Sequence, residues 1–211
     1  MKISLIATAA LAAIVLTGCA NPERSRDLGN PAIAGQVLAQ QACSLCHGSR
    51  GVSGSPNFPN LAAQQPAYVI AQLTEFRGHS REDPEGFEYM WGVTRRLTDD
   101  QIAGIAAYYA AQPPAHQPAE GSATRIEQGQ KLFVDGAPDR SIPACGNCHG
   151  DHGQGLATFP RIAGQHVDYI TKQLLVFQRT NGRPDGAVMK AVAHSLTPDD
   201  IANAAAYLQT L

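Results

Sequence analysis

A five-residue pattern occurs twice in this chain. Cys-Ser-Leu-Cys-His at 43–47 recurs as Cys-Gly-Asn-Cys-His at 145–149. Cys-x-x-Cys-His is the attachment pattern of a c-type haem, in which the two thiols form thioethers to the porphyrin and the histidine binds iron. The chain is therefore predicted to carry two covalently attached haem c groups with their irons. The predicted attachment and iron-binding residues are Cys43, Cys46, His47, Cys145, Cys148 and His149.

The similarity between the two halves of the sequence extends beyond these motifs. Phe-Pro-Asn-Leu-Ala-Ala-Gln at 58–64 matches Phe-Pro-Arg-Ile-Ala-Gly-Gln at 159–165, and Met, Leu and Thr recur at the same spacing in 90–98 and 189–197. Matches over such a length indicate an internal repeat, in which each copy is one structural unit. The small changes of offset fall between these blocks, where loops absorb them.

The repeat divides the chain into two small domains. Pro113, Pro114, Pro118 and Gly121 lie between the two copies, and such a cluster is typical of a linker. Each copy is so small that a covalently held haem would supply much of the apolar surface of its core. The predicted segments are a signal peptide at 1–18, an N-terminal tether at 19–30, domain 1 at 31–112, a linker at 113–122 and domain 2 at 123–211.

The hydrophobic periodicity within each copy is helical. Apolar residues form one stripe along 66–78 and again along 167–179. The last helix of each copy is predicted to open at Thr98 or Thr197, because each has a capping-box partner three residues later. No segment alternates with period two. The sequence therefore predicts an all-α fold in which each copy contains an N-terminal helix, the haem motif, a loop, a middle helix, a methionine loop and a C-terminal helix.

The N-terminal segment has the features of a bacterial lipoprotein signal. Lys2 precedes an apolar run at 3–16 that is too short to span a bilayer comfortably. The run ends in Leu-Thr-Gly-Cys at 16–19, which resembles a lipobox, so we predict that Cys19 is lipidated. This prediction also accounts for the fifth cysteine, which would otherwise be a stray thiol. The alternatives are a secretory peptide with an incidental cysteine and an uncleaved membrane helix.

The charge pattern excludes a nucleic-acid-binding protein. The formal net charge is −2, and the chain has no basic stripe and no arginine-rich run. It also has no amphipathic basic helix that would lie on a membrane surface. Any contact with a membrane is therefore predicted to come from the N-terminal lipid.

Two methionines are the candidate sixth ligands of the irons. Apart from the initiator, the chain contains only Met90 and Met189, and each lies seven residues before the leucine that precedes a final helix. A methionine in a helical protein is commonly core filler, but one methionine per haem at matched positions favours ligation. Such ligation raises the reduction potential and closes both axial positions, which suits electron transfer. We predict that His47 pairs with Met90 and that His149 pairs with Met189.

Other residues near the motifs leave alternatives open. None of four further histidines has a histidine counterpart in the other copy, so a surface or hydrogen-bonded role is the simpler interpretation of each. These four are His79, His152, His166 and His194. Trp91 could cover a haem edge or bond a propionate, but its counterpart is Lys190. The two haems are therefore not expected to have identical potentials.

Two further matched pairs have more than one interpretation. The carbonyls of Pro59 and Pro160 could accept the second ring N–H of the ligating histidines, which orients such ligands, or the prolines could only form turns. Tyr68 and Tyr169 could approach the haem edges or could be core aromatics.

Taken together, these residues resemble the dihaem cytochrome c4 family, which has two class-I cytochrome c domains in tandem. The similarity covers almost all of the chain after the signal peptide. The Gly-x-x-Leu-Phe stretch at 129–133 resembles the first helix of class-I domains, where glycine and an aromatic pack against the aromatic of the last helix, here Tyr207. In the first copy Ala39 replaces the aromatic, which implies a weaker contact with Tyr108. The resemblance implies that each domain wraps around one covalently attached haem.

The resemblance also implies a function. It implies an electron carrier of the bacterial periplasm that has a redox protein as donor and another as acceptor, such as a terminal oxidase of the cbb3 type or another complex of the respiratory chain. With Cys19 lipidated, the protein would be anchored to a bacterial membrane. The alternatives are a cytochrome subunit of a dehydrogenase and a dihaem redox enzyme, either a peroxidase or a sulfur-compound oxidoreductase.

Overall fold

The computed structural model describes residues 25–83, 86–179, 182–183 and 186–211. The predicted signal peptide at 1–18 and the predicted lipidation site Cys19 lie outside these residues. The described residues form helices and no named strand, which confirms the all-α prediction. Among the same residues, no helix is both long and apolar enough to cross a bilayer.

Within the described residues, the first half forms five α-helices and two π-helical turns. The short helix before the haem motif passes through one π-helical turn and continues into the helix that carries the motif, and the second π-helical turn leads into the helix after Met90. In chain order the elements are α1 Gly35–Leu38, the π-helical turn Ala39–Cys43, α2 Ser44–His47, α3 Pro66–Arg77, the π-helical turn Gly86–Met90, α4 Trp91–Thr94 and α5 Asp99–Ala110.

The second half repeats this order with longer and more regular helices. A 3₁₀ turn precedes its haem motif, and a single helix carries its methionine. The elements are α6 Ala123–Asp135, the 3₁₀ turn Pro138–Arg140, α7 Gly146–His149, α8 Val167–Arg179, α9 Ala187–His194 and α10 Pro198–Thr210. The two predicted middle helices are therefore present as α3 and α8.

Both C-terminal helices begin with the predicted capping boxes. Thr98 accepts a hydrogen bond from the backbone N–H of Gln101, whose side chain accepts one from the Thr98 N–H in return. Thr197 and Asp200 form the same reciprocal pair at the start of α10. Each box satisfies two N–H groups that have no partner inside the helix, so it fixes where the helix begins.

A glycine allows the first and last helices of each half to cross closely. A Cβ on Gly35 would lie 2.2 Å from the carbonyl oxygen of Gln101 on α5, and a Cβ on Gly129 would lie 2.0 Å from that of Asn203 on α10. No real Cβ approaches an oxygen so closely, so only glycine permits this backbone approach at the two crossings. The α6–α10 crossing is the equivalent of the α1–α5 crossing.

The two crossings have different side chains beside them. In the second half the rings of Phe133 and Tyr207 pack with centroids 5.5 Å apart, as the resemblance implied. In the first half the fully buried Tyr109 packs in the core that contains Ala39, and its hydroxyl donates to the Ala39 carbonyl at 3.2 Å. Tyr108 instead donates to the carbonyl of Ser49 at 2.6 Å.

The predicted linker packs against the second half. Ala115 is buried, and its carbonyl lies so close to Gly164 that a Cβ there would be only 2.3 Å away. Further along, the Pro118 carbonyl accepts a hydrogen bond from the side chain of Gln209 at 2.6 Å. The connection between the halves is therefore tied to α10 and to the loop before α8.

Two buried arginines link the halves to each other. Arg81 donates to Gln72 of its own half at 2.6 Å and to Gln173 of the other half at 3.3 Å. Arg183 repeats this pattern, donating to Gln173 of its own half and at 3.0 Å to Gln72. Arg81 also forms a two-point ion pair with Asp83, at 2.6 and 3.1 Å. The arrangement is nearly two-fold symmetric, like the repeat in the sequence.

Candidate haem centres

Each motif histidine is oriented by a backbone carbonyl. His47 ends α2, and its Nδ1 donates to the carbonyl oxygen of Pro59 at 3.0 Å. His149 ends α7, and its Nδ1 donates to the carbonyl oxygen of Pro160 at 2.9 Å. The interpretation of the two prolines as carbonyl acceptors is therefore confirmed. A bond of this kind fixes the ring and leaves Nε2 as the nitrogen that can bind a metal.

Burial favours the ligating form of both histidines. It lowers the pKa of His47 and of His149, and the hydrogen bonds to the proline carbonyls only partly oppose that shift. Both rings are therefore neutral over a wider pH range than an exposed histidine. A neutral imidazole whose Nδ1 carries the proton presents its lone pair at Nε2.

A phenylalanine packs against each of these rings in the same way. The centroids of His47 and Phe58 are 6.1 Å apart with their planes at 68°, and those of His149 and Phe159 are 6.1 Å apart at 75°. Both contacts are edge-to-face arrangements, which aromatic pairs prefer. The phenylalanine-proline step therefore provides both the ring that packs on the histidine and the carbonyl that orients it.

The two cysteines of each motif differ in burial. Cys43 and Cys145 pack against the hydrophobic cores, and burial raises the pKa of each thiol to about 11. Cys46 is exposed and Cys148 is half-buried, and all four cysteines are free of disulfides. Since residues three apart share one face of a helix, the two thiols of each motif lie on the same side of the chain, and the first of them packs against a core.

The predicted methionine ligands lie in segments of different geometry. Met90 ends the π-helical turn before α4, and its carbonyl accepts a hydrogen bond from Thr94 Oγ1 at 2.7 Å. Met189 lies within the regular helix α9. Both residues are half-buried. Their assignment as the sixth ligands stays a prediction.

The competing histidines are found in three different environments. The ring of His79 stacks between Phe87 and Trp91, with centroid distances of 4.0 and 4.5 Å, and its Nε2 donates to the Phe87 carbonyl at 3.0 Å. His152 and His194 are exposed. The side chain of His166 is buried, and its Nε2 has no hydrogen-bond partner in the described part of the chain. Trp91 thus packs on a histidine.

The matched tyrosines lie near the boundary between the halves. Arg183 donates to the Tyr68 hydroxyl at 3.4 Å, across the boundary. On the other side, the guanidinium of Arg81 interacts electrostatically with the buried Tyr169 hydroxyl and partly opposes the rise in its pKa that burial causes. From the sequence, only the haem edge or the core was expected for these residues. The two arginines were not recognised as a matched pair, because their spacing between the two copies differs slightly from that of the middle helices.

The motif residues and two buried arginines offer groups that fit a haem. Its propionates are carboxylates, for which guanidinium groups are strong partners. The Nε atoms of Arg161 and Arg183 are buried and have no hydrogen-bond partner among the described residues. Arg161 directly follows Pro160, and burial lowers the pKa of its guanidinium. Paired thiols, an oriented imidazole and unpaired guanidinium nitrogens together match the chemistry of haem c.

Comparison with known proteins agrees with the repeat. The cytochrome c family matches this chain twice, over residues 32–111 and 126–211. Cytochrome c4 of Pseudomonas aeruginosa is 38% identical over 184 residues, covering 85% of this chain and 88% of that protein. A thiosulfate dehydrogenase electron acceptor of Stutzerimonas stutzeri is 32% identical over 173 residues, covering 80% of this chain and 78% of that protein.

A solved structure shows the same arrangement in three dimensions. The crystal structure of reduced recombinant cytochrome c4 from Pseudomonas stutzeri matches this chain with a TM-score of 0.74 at 36% sequence identity. The match covers 84% of this chain and 96% of that chain. Both tandem domains are therefore included in the similarity.

Proposed function

Because the chain belongs to the cytochrome c4 family of dihaem electron carriers, we propose that it is a membrane-tethered periplasmic cytochrome that passes electrons towards a terminal oxidase or another respiratory complex. Two haem c groups, one in each domain, supply the redox chemistry, since each iron exchanges one electron between its ferrous and ferric states. The protein's own residues hold and orient the two groups.

The observation that carries the ligand assignment is the matched pair of histidine hydrogen bonds. Because Nδ1 of His47 and of His149 donates to a proline carbonyl, each Nε2 is available as the proximal ligand. We assign Met90 as the partner of His47 and Met189 as the partner of His149. The thioethers are assigned to Cys43, Cys46, Cys145 and Cys148. The proposed domain bounds are 31–112 and 123–211, joined by 113–122.

Ligation by histidine and methionine favours a carrier over an enzyme. With a histidine and a methionine both bound to each iron, no position would be left at which peroxide or a sulfur compound could bind, and the methionine sulfur would raise the potential. We propose that the chain accepts electrons from one protein and delivers them to another. The similarity to a thiosulfate dehydrogenase electron acceptor supports a second candidate donor, a sulfur-compound dehydrogenase.

A lipid on Cys19 would explain how such a carrier stays near membrane-bound partners. The lipobox-like sequence at 16–19 supports this part of the proposal. Tethering would confine the protein to the membrane surface and raise its local concentration beside the respiratory complexes. A Cys19→Ser variant is expected in the soluble periplasmic fraction, whereas the unaltered protein is expected in the membrane fraction. Retention of the variant in membranes would contradict lipidation.

An electron-transfer assay tests the proposed function directly. The reduced holoprotein is mixed with membranes that contain an active terminal oxidase, and oxidation of both haems is followed optically. We expect rapid oxidation that cyanide abolishes, and no turnover when the protein alone is given hydrogen peroxide or thiosulfate. Catalytic consumption of either compound by the isolated protein would contradict the carrier role.

A further inference from the structure

Each half contributes a glutamine side chain that binds the backbone of the other half. Gln165 Oε1 accepts the backbone N–H of Asn60 at 2.8 Å, and Gln165 Nε2 donates to the Asn60 carbonyl at 3.0 Å. In the opposite direction, Gln64 Oε1 accepts the backbone N–H of Arg161 at 2.6 Å, and Gln64 Nε2 donates to the Arg161 carbonyl at 2.9 Å. We call these two arrangements the glutamine clasps.

The residues held by the clasps directly follow the carbonyls that orient the haem histidines. The N–H of Asn60 belongs to the same peptide group as the Pro59 carbonyl, which accepts the hydrogen bond of His47. The N–H of Arg161 likewise shares a peptide group with the Pro160 carbonyl. Each motif histidine is therefore separated from a glutamine of the other half by a single peptide group with a hydrogen bond on both sides.

The backbone fixes the orientation of both glutamine side chains. Gln64 Oε1 also accepts the N–H of Gln65 at 2.9 Å, and Gln165 Oε1 accepts the N–H of His166 at 3.1 Å. Both glutamine side chains are about 5% exposed. In a buried site a hydrogen bond is stronger than in water, and bonds in a chain polarise one another. The clasps are thus preorganised hydrogen-bond chains that cross the domain boundary.

We propose that the clasps tune each haem from the opposite domain: Gln165 acts on the haem of His47, and Gln64 acts on the haem of His149. Both glutamines are positioning residues, because they act through the peptide group and the histidine. The proposal rests on the proposed histidine ligation, and it adds a pathway by which docking of the domains influences both reduction potentials.

The direction of the effect follows from the polarity of the chain. When the peptide N–H donates to glutamine, the carbonyl oxygen of that peptide becomes more negative and accepts the histidine N–H more strongly. A more strongly hydrogen-bonded histidine donates more electron density to iron, which favours the ferric state. Removing a glutamine should therefore raise the potential of the haem in the opposite domain.

The experiment compares three leucine variants of the holoprotein by redox titration. Gln165→Leu and Gln64→Leu each remove one clasp. Gln65→Leu is the matched control, because its side chain donates across the same boundary to the Gln154 carbonyl, which does not orient a haem ligand. Met90→Leu and Met189→Leu assign the two redox steps beforehand, since each changes its own haem.

The expected result is a crossed pattern. At a fixed ambient potential, Gln165→Leu should raise the ratio of reduced to oxidised haem about twofold or more at the His47 site only, and Gln64→Leu should do so at the His149 site only. Gln65→Leu should leave both ratios unchanged. An unchanged ratio, a shift in the glutamine's own domain or an equal shift of both haems would overturn the proposal.

Two controls separate failure of this proposal from other failures. Thermal unfolding and gel filtration of each variant report whether the domains still pack together. If they separate, the ratio of reduced to oxidised haem should shift equally at both sites, and that result counts against tuning by the clasps. If the unaltered protein lacks histidine and methionine ligation, the optical spectrum and the two methionine variants reveal it before any glutamine variant is measured. Failure of the ligand assignment can therefore be distinguished from failure of the tuning proposal.

Discussion

The two domains fill the same place in their cores from opposite helices. In the first domain the small Ala39 lies in the core beside the fully buried Tyr109 of α5. In the second domain the corresponding positions hold Phe133 of α6 and Leu208 of α10. The large aromatic side chain has moved from the last helix to the first. The core beside the haem motif is thus filled to a similar extent in both domains, although the aromatic side chain that fills it comes from different helices.

The side-chain hydrogen bonds that join the middle helix to the start of the last helix also come from different residue types in the two domains. Arg77 donates to the Leu97 carbonyl at 2.9 Å and ties α3 to the residue before the N-cap of α5. In the second domain the corresponding tie is made by Gln178, which donates to the Leu196 carbonyl at 2.9 Å. The histidine-carbonyl bonds and capping boxes, in contrast, have the same geometry in both domains. The two copies of the repeat therefore agree more closely in the orientation of the motif histidines and in the helix starts than in the residues of their cores.

The largest change in reduction potential is expected from replacing Met90 or Met189. It tests whether both methionines bind iron although one ends a π-helical turn and the other lies in a regular helix. In the proposed ligation, replacing either by leucine would remove a sulfur ligand that favours ferrous iron, so the potential of that haem should fall by something on the order of 0.2 V. The sulfur-to-iron charge-transfer band of that haem should also disappear. Spectroelectrochemistry measures both, and a variant that keeps its band would contradict the assignment of that methionine.

A double-mutant cycle tests the exchange of the core aromatic. Tyr109→Leu alone should reduce the free energy of unfolding by about 2–4 kcal/mol, because it leaves a cavity. Ala39→Phe alone should cost about 1–3 kcal/mol, because Tyr109 already fills the space. Combined, the two changes reproduce the pattern of the second domain.

The double variant should therefore be more stable than the sum of the single effects by about 1–3 kcal/mol. Denaturant unfolding of the holoprotein measures all four stabilities. Additive effects would show that the two positions do not share one packed volume, and the comparison of the cores would then be wrong.

Alanine at the crossing glycines should have the same effect in both domains. Gly35→Ala and Gly129→Ala each place a Cβ near 2 Å from a backbone carbonyl oxygen, so each should destabilise its domain by about 1–3 kcal/mol. Gly92→Ala is the control, since its Cβ meets nothing within 4 Å. Thermal unfolding checks the prediction, and a tolerated Gly129→Ala would contradict the close approach of α6 and α10.

The smallest expected effect contrasts two ion pairs at the starts of the last helices. Hydrogen bonding from Arg140 holds the pKa of Asp200 at about 2, and the Asp200 side chain is only 15% exposed. Arg77 pairs with Asp99, whose side chain is 89% exposed. A depressed pKa stabilises the fold above the unfolded value near about 4, and this contribution is lost as the pH falls towards 2.

Arg140→Gln should therefore reduce the free energy of unfolding at about pH 5 to 7, where Asp200 is ionised, but not at about pH 2. Arg77→Gln should reduce it less under the same conditions, because water screens the exposed pair. Unfolding curves at several pH values measure the difference. A pH-independent effect of Arg140→Gln would contradict the role of Asp200.

Much of the fold could be predicted from the sequence because its signals are local. The capping boxes and the bounds of α8 depend on residues that are close together along the chain, and the matched Pro59 and Pro160 were already candidate carbonyl acceptors, with a role in turns as the alternative. The contacts between the two domains could not be predicted in this way. Gln64 and Gln165 were visible as a matched pair, but their partners lie about a hundred residues away.

The packing of the connection was also outside the reach of local signals. Proline and glycine at 113–122 indicated a linker, yet Ala115 is buried and Pro118 contacts α10. Composition reports the presence of helix-breaking proline and glycine, but it carries no information about the surface on which a segment lies. The same limit applies to Tyr68 and Tyr169, whose arginine partners come from the other half.

A single redox titration followed by optical spectra shows whether each of the two domains holds one haem between a histidine and a methionine. The account predicts two one-electron steps of similar amplitude. It also predicts low-spin spectra with a sulfur-to-iron charge-transfer band from both haems in the oxidised protein. A single step with the amplitude of one haem, or a high-spin or bis-histidine spectrum at either site, would contradict it.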